Sequence, residues 1–246
     1  MSLDLLLSPS GLVLLALAAA LLGLLLSYPL GILIHRLPID MERAWQEEGL
    51  AEQHTFPQSR IPHRNLLAAL LCALLFGLCA MRFGFSLPLP AAMLFCWLLL
   101  AMSFIDWERQ LLPDVLSLGL LWAGLLLNTM ELFAPLTSAL WGAVAGYLSL
   151  WLCGRLYLMA TGREGMGYGD CKLLAALGAW LGWQALPAVI LVASVCGVLV
   201  GGTMIILGRR GRREPIPFGP YLALAGVLVL LWWQQSCAPT PFLLIC

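Results

Sequence analysis

Apolar residues in this chain fall in long continuous runs, not at the spacing of a single helix face. Eight runs stand out: Leu12–Ile34, Asn65–Ala80, Leu87–Ile105, Val115–Phe133, Thr137–Leu158, Cys171–Trp183, Leu186–Leu207 and Phe218–Trp233. A helix that is apolar all round is surrounded by lipid or by other apolar helices, and a membrane span needs about 17–25 such residues. The sixth run is short for a full crossing, so it reads as a tilted span or as a half-helix continuous in space with the seventh. Spanning segments must satisfy their backbone internally. The pattern therefore predicts an all-α fold, a polytopic membrane helical bundle of about eight transmembrane segments. It forms one domain over residues 1–246, with a cytoplasmic loop at His35–Arg64. Within that loop Pro38–Gln53 reads as a short interfacial helix, and Pro57 and Pro62 break any helix beyond it.

Composition agrees with a lipid-embedded chain. Hydrophobic residues make up 61% and charged residues only 11%, more apolar surface than a soluble domain of this size can hide. A net charge of zero excludes a general nucleic-acid binder. The first run has no basic leading region and is long enough to span, so it is not read as a cleavable signal. Twelve of the thirteen Lys and Arg residues fall on one side of an eight-span topology, with Arg82 alone on the other. The basic side is cytoplasmic, which puts both termini outside. The first loop also holds five acids, Asp40, Glu42, Glu47, Glu48 and Glu52. It reads equally as a solvated connector or as a docking surface for a basic partner segment.

Cysteine and histidine usage excludes several chemistries. None of the eight cysteines forms a C-x-x-C pair, so a structural zinc site has no support. Cys72, Cys79, Cys96, Cys153 and Cys196 lie in apolar runs and read as small buried hydrophobes. Cys237 and Cys246 share the C-terminal tail and read either as a disulfide or as two free thiols. His35, His54 and His63 sit in the first loop without an H-E-x-x-H motif, and no G-x-S-x-G or S-x-x-K is present. The expectation is an enzyme with no metal.

Three carboxylates gather at cytoplasmic helix ends: Asp106, Asp114 and Asp170. Ionisable groups beside a membrane core default to functional hypotheses. Asp114 follows Pro113 and reads best as the N-cap of the fourth span. Asp170 could cap the sixth, yet Gly165, Gly167 and Gly169 before it suggest positive φ angles and close chain approach, which a plain cap does not need. Asp106 ends an apolar run with no capping logic. Two carboxylates brought together can share a proton, one activating water and the other protonating a leaving amine. Asp170 begins a helix and Asp106 ends one. Helix dipoles therefore predict Asp170 as the ionised base and Asp106 as the protonated acid.

The block Phe104-Ile-Asp-Trp-Glu-Arg-Gln-Leu-Leu-Pro-Asp114, with Gly167-Tyr-Gly-Asp-Cys-Lys172 following, resembles the type IV prepilin peptidase family. Ile34-His-Arg-Leu-Pro38 and Ile216-Pro-Phe-Gly-Pro-Tyr221 extend the likeness over the whole chain and in the family's order. The resemblance implies a multi-pass enzyme of the bacterial inner membrane. It would remove short basic leaders from prepilins of type IV pili or from type II secretion pseudopilins. It also implies Asp106 and Asp170 as the catalytic aspartates; Gly167 and Gly169, which let the chain approach closely, are read as substrate-binding. Many members also N-methylate the new terminus using S-adenosylmethionine. The first loop here lacks the two cysteine pairs that many members carry and that are associated with zinc and methylation. Methylation is thus left open, while cleavage is untouched. Two other classes compete. A proton-coupled transporter would put its carboxylates near the bilayer midplane, not at one edge. A non-catalytic assembly protein of a secretion system would have no use for the aspartates.

Overall fold

The computed structural model describes residues 9–47, 64–162, 167–207 and 217–232. Among these residues the chain forms α1 (Pro9–Glu47), α2 (Arg64–Phe83), α3 (Pro88–Arg109), α4 (Asp114–Asn128) and α5 (Leu136–Thr161). It continues with α6 (Tyr168–Leu181), a 3-10 turn (Trp183–Ala185), α7 (Leu186–Ile206) and α8 (Gly219–Trp232). Every apolar run of the sequence falls on one of these helices. The segments Pro9–Met41, Arg64–Phe83, Pro88–Arg109, Leu136–Thr161 and Trp183–Met204 are long and apolar enough to cross a membrane. The fold is a polytopic helical bundle. α4, α6 and α8 have 15, 14 and 14 residues. A 14-residue helix is about 21 Å long, short of the roughly 30 Å hydrocarbon core.

One boundary differs from the sequence reading. The short interfacial helix expected at Pro38–Gln53 is not separate, because α1 runs unbroken through Pro29 and Pro38 to Glu47. A proline removes only one backbone donor from the ladder, and the helix continues past both positions. Residues 48–53 lie outside the described residues.

α6 is the centre of the bundle. Eleven of its fourteen residues are buried, whereas α1 shows Leu14, Leu17, Leu21 and Leu25 to its surroundings as a lipid-facing stripe. The centre is reached through glycine. Gly142 and Gly146 of α5, spaced as in small-xxx-small packing, lie with Gly178 and Leu174 of α6 backbone against backbone. A Cβ on any of those glycines would collide with main-chain atoms of the other helix.

The end of the bundle where α6 finishes is locked by polar and aromatic contacts. Trp180 is fully buried, donates its indole N–H to the Leu120 carbonyl at 2.7 Å, and lies between the Phe95 and Phe133 rings. Asn128 terminates α4 by donating to the carbonyls of Ala179 and Trp180 while accepting from the amides of Phe133 and Ala134. That is why the fourth apolar run stops being helical before Phe133. Arg82 is at this same end, donating to the Leu231 carbonyl at the close of α8. Cys72, Cys79 and Cys96 are buried as expected, whereas Cys153 is exposed on α5.

The α5–α6 crossing predicts a contrast within two helices. Gly178→Ala should destabilise the protein by about 1–3 kcal/mol through overpacking. Gly154→Ala, which meets nothing within 4 Å, should stay within about 0.5 kcal/mol of wild type. Thermal unfolding in detergent checks this, and equal midpoints for the two variants would contradict the packing.

Candidate active site

The last turn of α3 carries Asp106, and the helix closes at Gln110, whose φ of 55° is left-handed and whose N–H bonds the Asp106 carbonyl at 2.8 Å. The chain then reaches α4, entered through Pro113. The Asp106 side chain turns toward α8 and is buried. Its Oδ2 accepts the Gly219 N–H at 3.0 Å. Gly219 is the first residue of α8, so Asp106 caps that helix from across the bundle and faces its positive dipole end. Only glycine fits there, because a Cβ would stand 2.6 Å from Oδ2.

Asp170 lies in the first turn of α6, ahead of the apolar stretch of that helix. The N-cap is Gly167, with no side-chain cap. Asp170 is buried, and its Oδ1 has no hydrogen-bond partner among the described residues. Burial pushes its carboxyl up to about 7, and the charge of Asp106 pushes the same way. The structure therefore brings Asp106 and Asp170 within electrostatic reach of each other.

The surroundings of the two acids are not the ones that helix ends alone would give. Asp106 does end its own helix, but it also sits at the start of another and receives a backbone donor. Hydrogen bonding to a carboxylate favours its charged form, and burial without a donor favours the neutral one. The Gly219 N–H favours the charge on Asp106, and the unsatisfied oxygen favours the proton on Asp170. The two titrate as a pair.

Asp114 is also not the cap that its position suggests. Pro113 occupies the N-cap, and Asp114 is the first helical residue of α4. Both of its carboxylate oxygens are gripped by the Lys172 ammonium, at 2.6 and 2.7 Å. The glycines of the Gly167-Tyr-Gly-Asp170 motif serve close approach, not unusual φ. Gly167 has a φ of −76°, and Gly169 is absent from the positive-φ residues. Gly169 is seated on Leu112, whose Cβ would be 2.8 Å from an added methyl, and Gly167 lies near the Asp170 carboxyl. Gly165 lies outside the described residues.

Sequence reasoning did not single out Gly219, although it lies in a noted motif, nor the ion pair of Arg64 with Glu108. That pair is close at 3.0 Å and nearly buried, with side-chain exposures of 14% and 5%. It ties the start of α2 to the turn that carries Asp106. The two residues are 44 apart, so no local pattern announces it.

Among the described residues no group of three or more His, Cys, Asp or Glu is placed to hold a metal ion; His54 and His63 lie outside them. A cavity of about 660 Å³ opens between α5 and α7, lined by residues including Ser149, Trp183, Pro187 and Ser194, with walls almost wholly apolar. S-adenosylmethionine does not fit such a lining, since its charged and hydroxyl groups need polar partners.

Residues 93–202, which include both aspartates, match the type IV leader peptidase family. A prepilin leader peptidase/N-methyltransferase of Stutzerimonas stutzeri is 45% identical over 266 aligned positions, covering 90% of this chain and 92% of the relative. The protein of the same name from Pseudomonas aeruginosa is 45% identical, covering 89% and 91%, and that from Aeromonas hydrophila 42%, covering 86% and 89%. The first of these alignments is longer than the 246 residues of this chain, so that relative carries internal segments that this chain lacks. No solved structure matches the chain. With that identity over nearly its whole length, the chain belongs to the type IV leader peptidase family.

Proposed function

We propose that this protein is the aspartic endopeptidase that removes the basic leader from type IV prepilins or type II secretion pseudopilins, using Asp106 and Asp170. The observation that carries the mechanism is the unequal surroundings of two buried acids: a backbone donor on Asp106, and none on Asp170 Oδ1. Ionised Asp106 takes a proton from a water molecule, which attacks the scissile carbonyl carbon. Protonated Asp170 gives its proton to the leaving amine as the C–N bond breaks. Proton return between the carboxyls then restores the starting state. Neither step needs a metal or a covalent intermediate.

The relatives' names also carry an N-methyltransferase activity, for which S-adenosylmethionine would be the methyl donor. The apolar cavity gives that molecule no fitting site, and the mechanism derived above is confined to cleavage. Gly167 and Gly169, at the start of α6, are the residues we assign to the edge of the substrate site. We place the enzyme in the bacterial inner membrane with eight crossings and both termini periplasmic. Support comes from the twelve-to-one basic asymmetry and from Arg82 lying at the end opposite the aspartates.

Asp106→Asn and Asp170→Asn should each lower cleavage of a purified prepilin by roughly 10²–10⁴-fold, with the protein still folded. In the wild type, Asp170 must hold its proton to act as the acid. Activity should therefore fall as pH rises through about 7, where that carboxyl deprotonates. Full cleavage by either Asn variant, or activity still rising well above pH 7, would refute the pair.

Orientation is tested separately. A membrane-impermeant thiol reagent added to spheroplasts should label Cys237 and Cys246 after reduction, but not a cysteine introduced at Arg210. Labelling at 210 from outside would overturn the topology.

A further inference from the structure

We propose that the ion pair of Lys172 with Asp114 is a positioning clamp for Asp170, a role that rests on the aspartate-pair reading above. The first turn of α6 is poorly held by its own sequence. It starts at Gly167 without a side-chain cap and includes Gly169. Gly169 lowers helix stability by up to about 1 kcal/mol relative to alanine, and a first turn without a side-chain cap frays unless something outside holds it. Asp170 sits in that turn with no hydrogen bond on its Oδ1 among the described residues. Its place in the site is therefore set largely by the backbone beneath it.

Two contacts fasten that backbone, and both lead to the same segment. Gly169 rests on the side chain of Leu112. One turn further, Lys172 grips both oxygens of Asp114. Leu112 and Asp114 belong to the connection that runs from Asp106 into α4. The turn bearing one aspartate is thus tied to the segment leaving the other.

The pair is a poor candidate for a purely stabilising role. Its side chains are 28% and 56% exposed, and exposed pairs typically contribute about 0–1 kcal/mol. Lys172 also lies near the start of its helix, where the dipole disfavours a cation. Asp114, in the first turn of α4, offsets that placement. A bidentate grip between two helix starts fixes a distance and an orientation far more than it adds to stability.

The test is steady-state cleavage of a purified prepilin by the full-length enzyme in detergent, with Asp170→Asn as reference. The variants are Lys172→Met, Asp114→Asn, their combination, Lys172→Arg, and the exchange Asp114→Lys with Lys172→Asp. A displaced catalytic group typically loses roughly 10–100-fold. Each single variant should lower kcat by that amount, with KM within about twofold of wild type. The combined variant should be no worse than the worse single one, because both break the same contact. Lys172→Arg should keep most of kcat, and thermal midpoints should barely move. Wild-type kcat in both single variants, or losses that multiply in the combination, would overturn the clamp while an inactive Asp170→Asn keeps the pair reading standing. Cleavage by Asp170→Asn would instead remove the reading on which the clamp rests.

Discussion

Two carboxyl groups buried close together in an apolar bundle cannot both be charged, and the rest of this site follows from which one is. The Gly219 N–H, 3.0 Å from Asp106 Oδ2, sets the answer. It requires the end of α3 and the start of α8 to meet. It also requires a residue at 219 without a side chain, because any Cβ would enter the carboxylate. Asp170 then needs to be near enough to feel the charge of Asp106 and dry enough to keep its proton. Both conditions are met by placing it at the start of the most buried helix of the bundle.

The bundle divides its work between two ends. At one, Trp180, Asn128 and Arg82 bond to main-chain carbonyls and tie α4 to α6 and α2 to α8. At the other, helix ends are held by cross-helix side-chain contacts in place of ordinary caps: Asp106 on α8, Asp114 with Lys172, and Arg64 with Glu108. Between them α6 approaches α5 through Gly142, Gly146 and Gly178 with no side chains intervening. Such contact leaves little freedom for sliding, so rigidity at the far end is carried along α6 to Asp170.

Much of this was legible in the sequence, for identifiable reasons. Continuous apolar runs have one solution in lipid, so the helical bundle was readable. Asp106 and Asp170 drew attention in the sequence because acids at the edge of apolar runs are costly and rare, and the structure buries both. What was not readable depended on contacts between distant residues. Asp114 looked like a cap because Pro-Asp before an apolar run usually is one; Lys172, 58 residues away, engages it instead. The acid and base roles proposed here differ from those expected from helix ends, because there each aspartate was judged by its own helix. The dipole that matters for Asp106 belongs to α8. The long α1 was read as ending before Pro38 because proline usually breaks a helix, yet the helix runs through it.

The central claim is that the shared proton resides on Asp170 while Asp106 is ionised. Infrared spectroscopy of the protonated carboxyl stretch, followed through a pH titration of the purified protein, observes this directly. The account predicts a protonated-carboxyl band that disappears as pH rises through about 7, that is missing just below pH 7 from Asp170→Asn, and that persists in Asp106→Asn. A band that survives in Asp170→Asn and is lost in Asp106→Asn would contradict it.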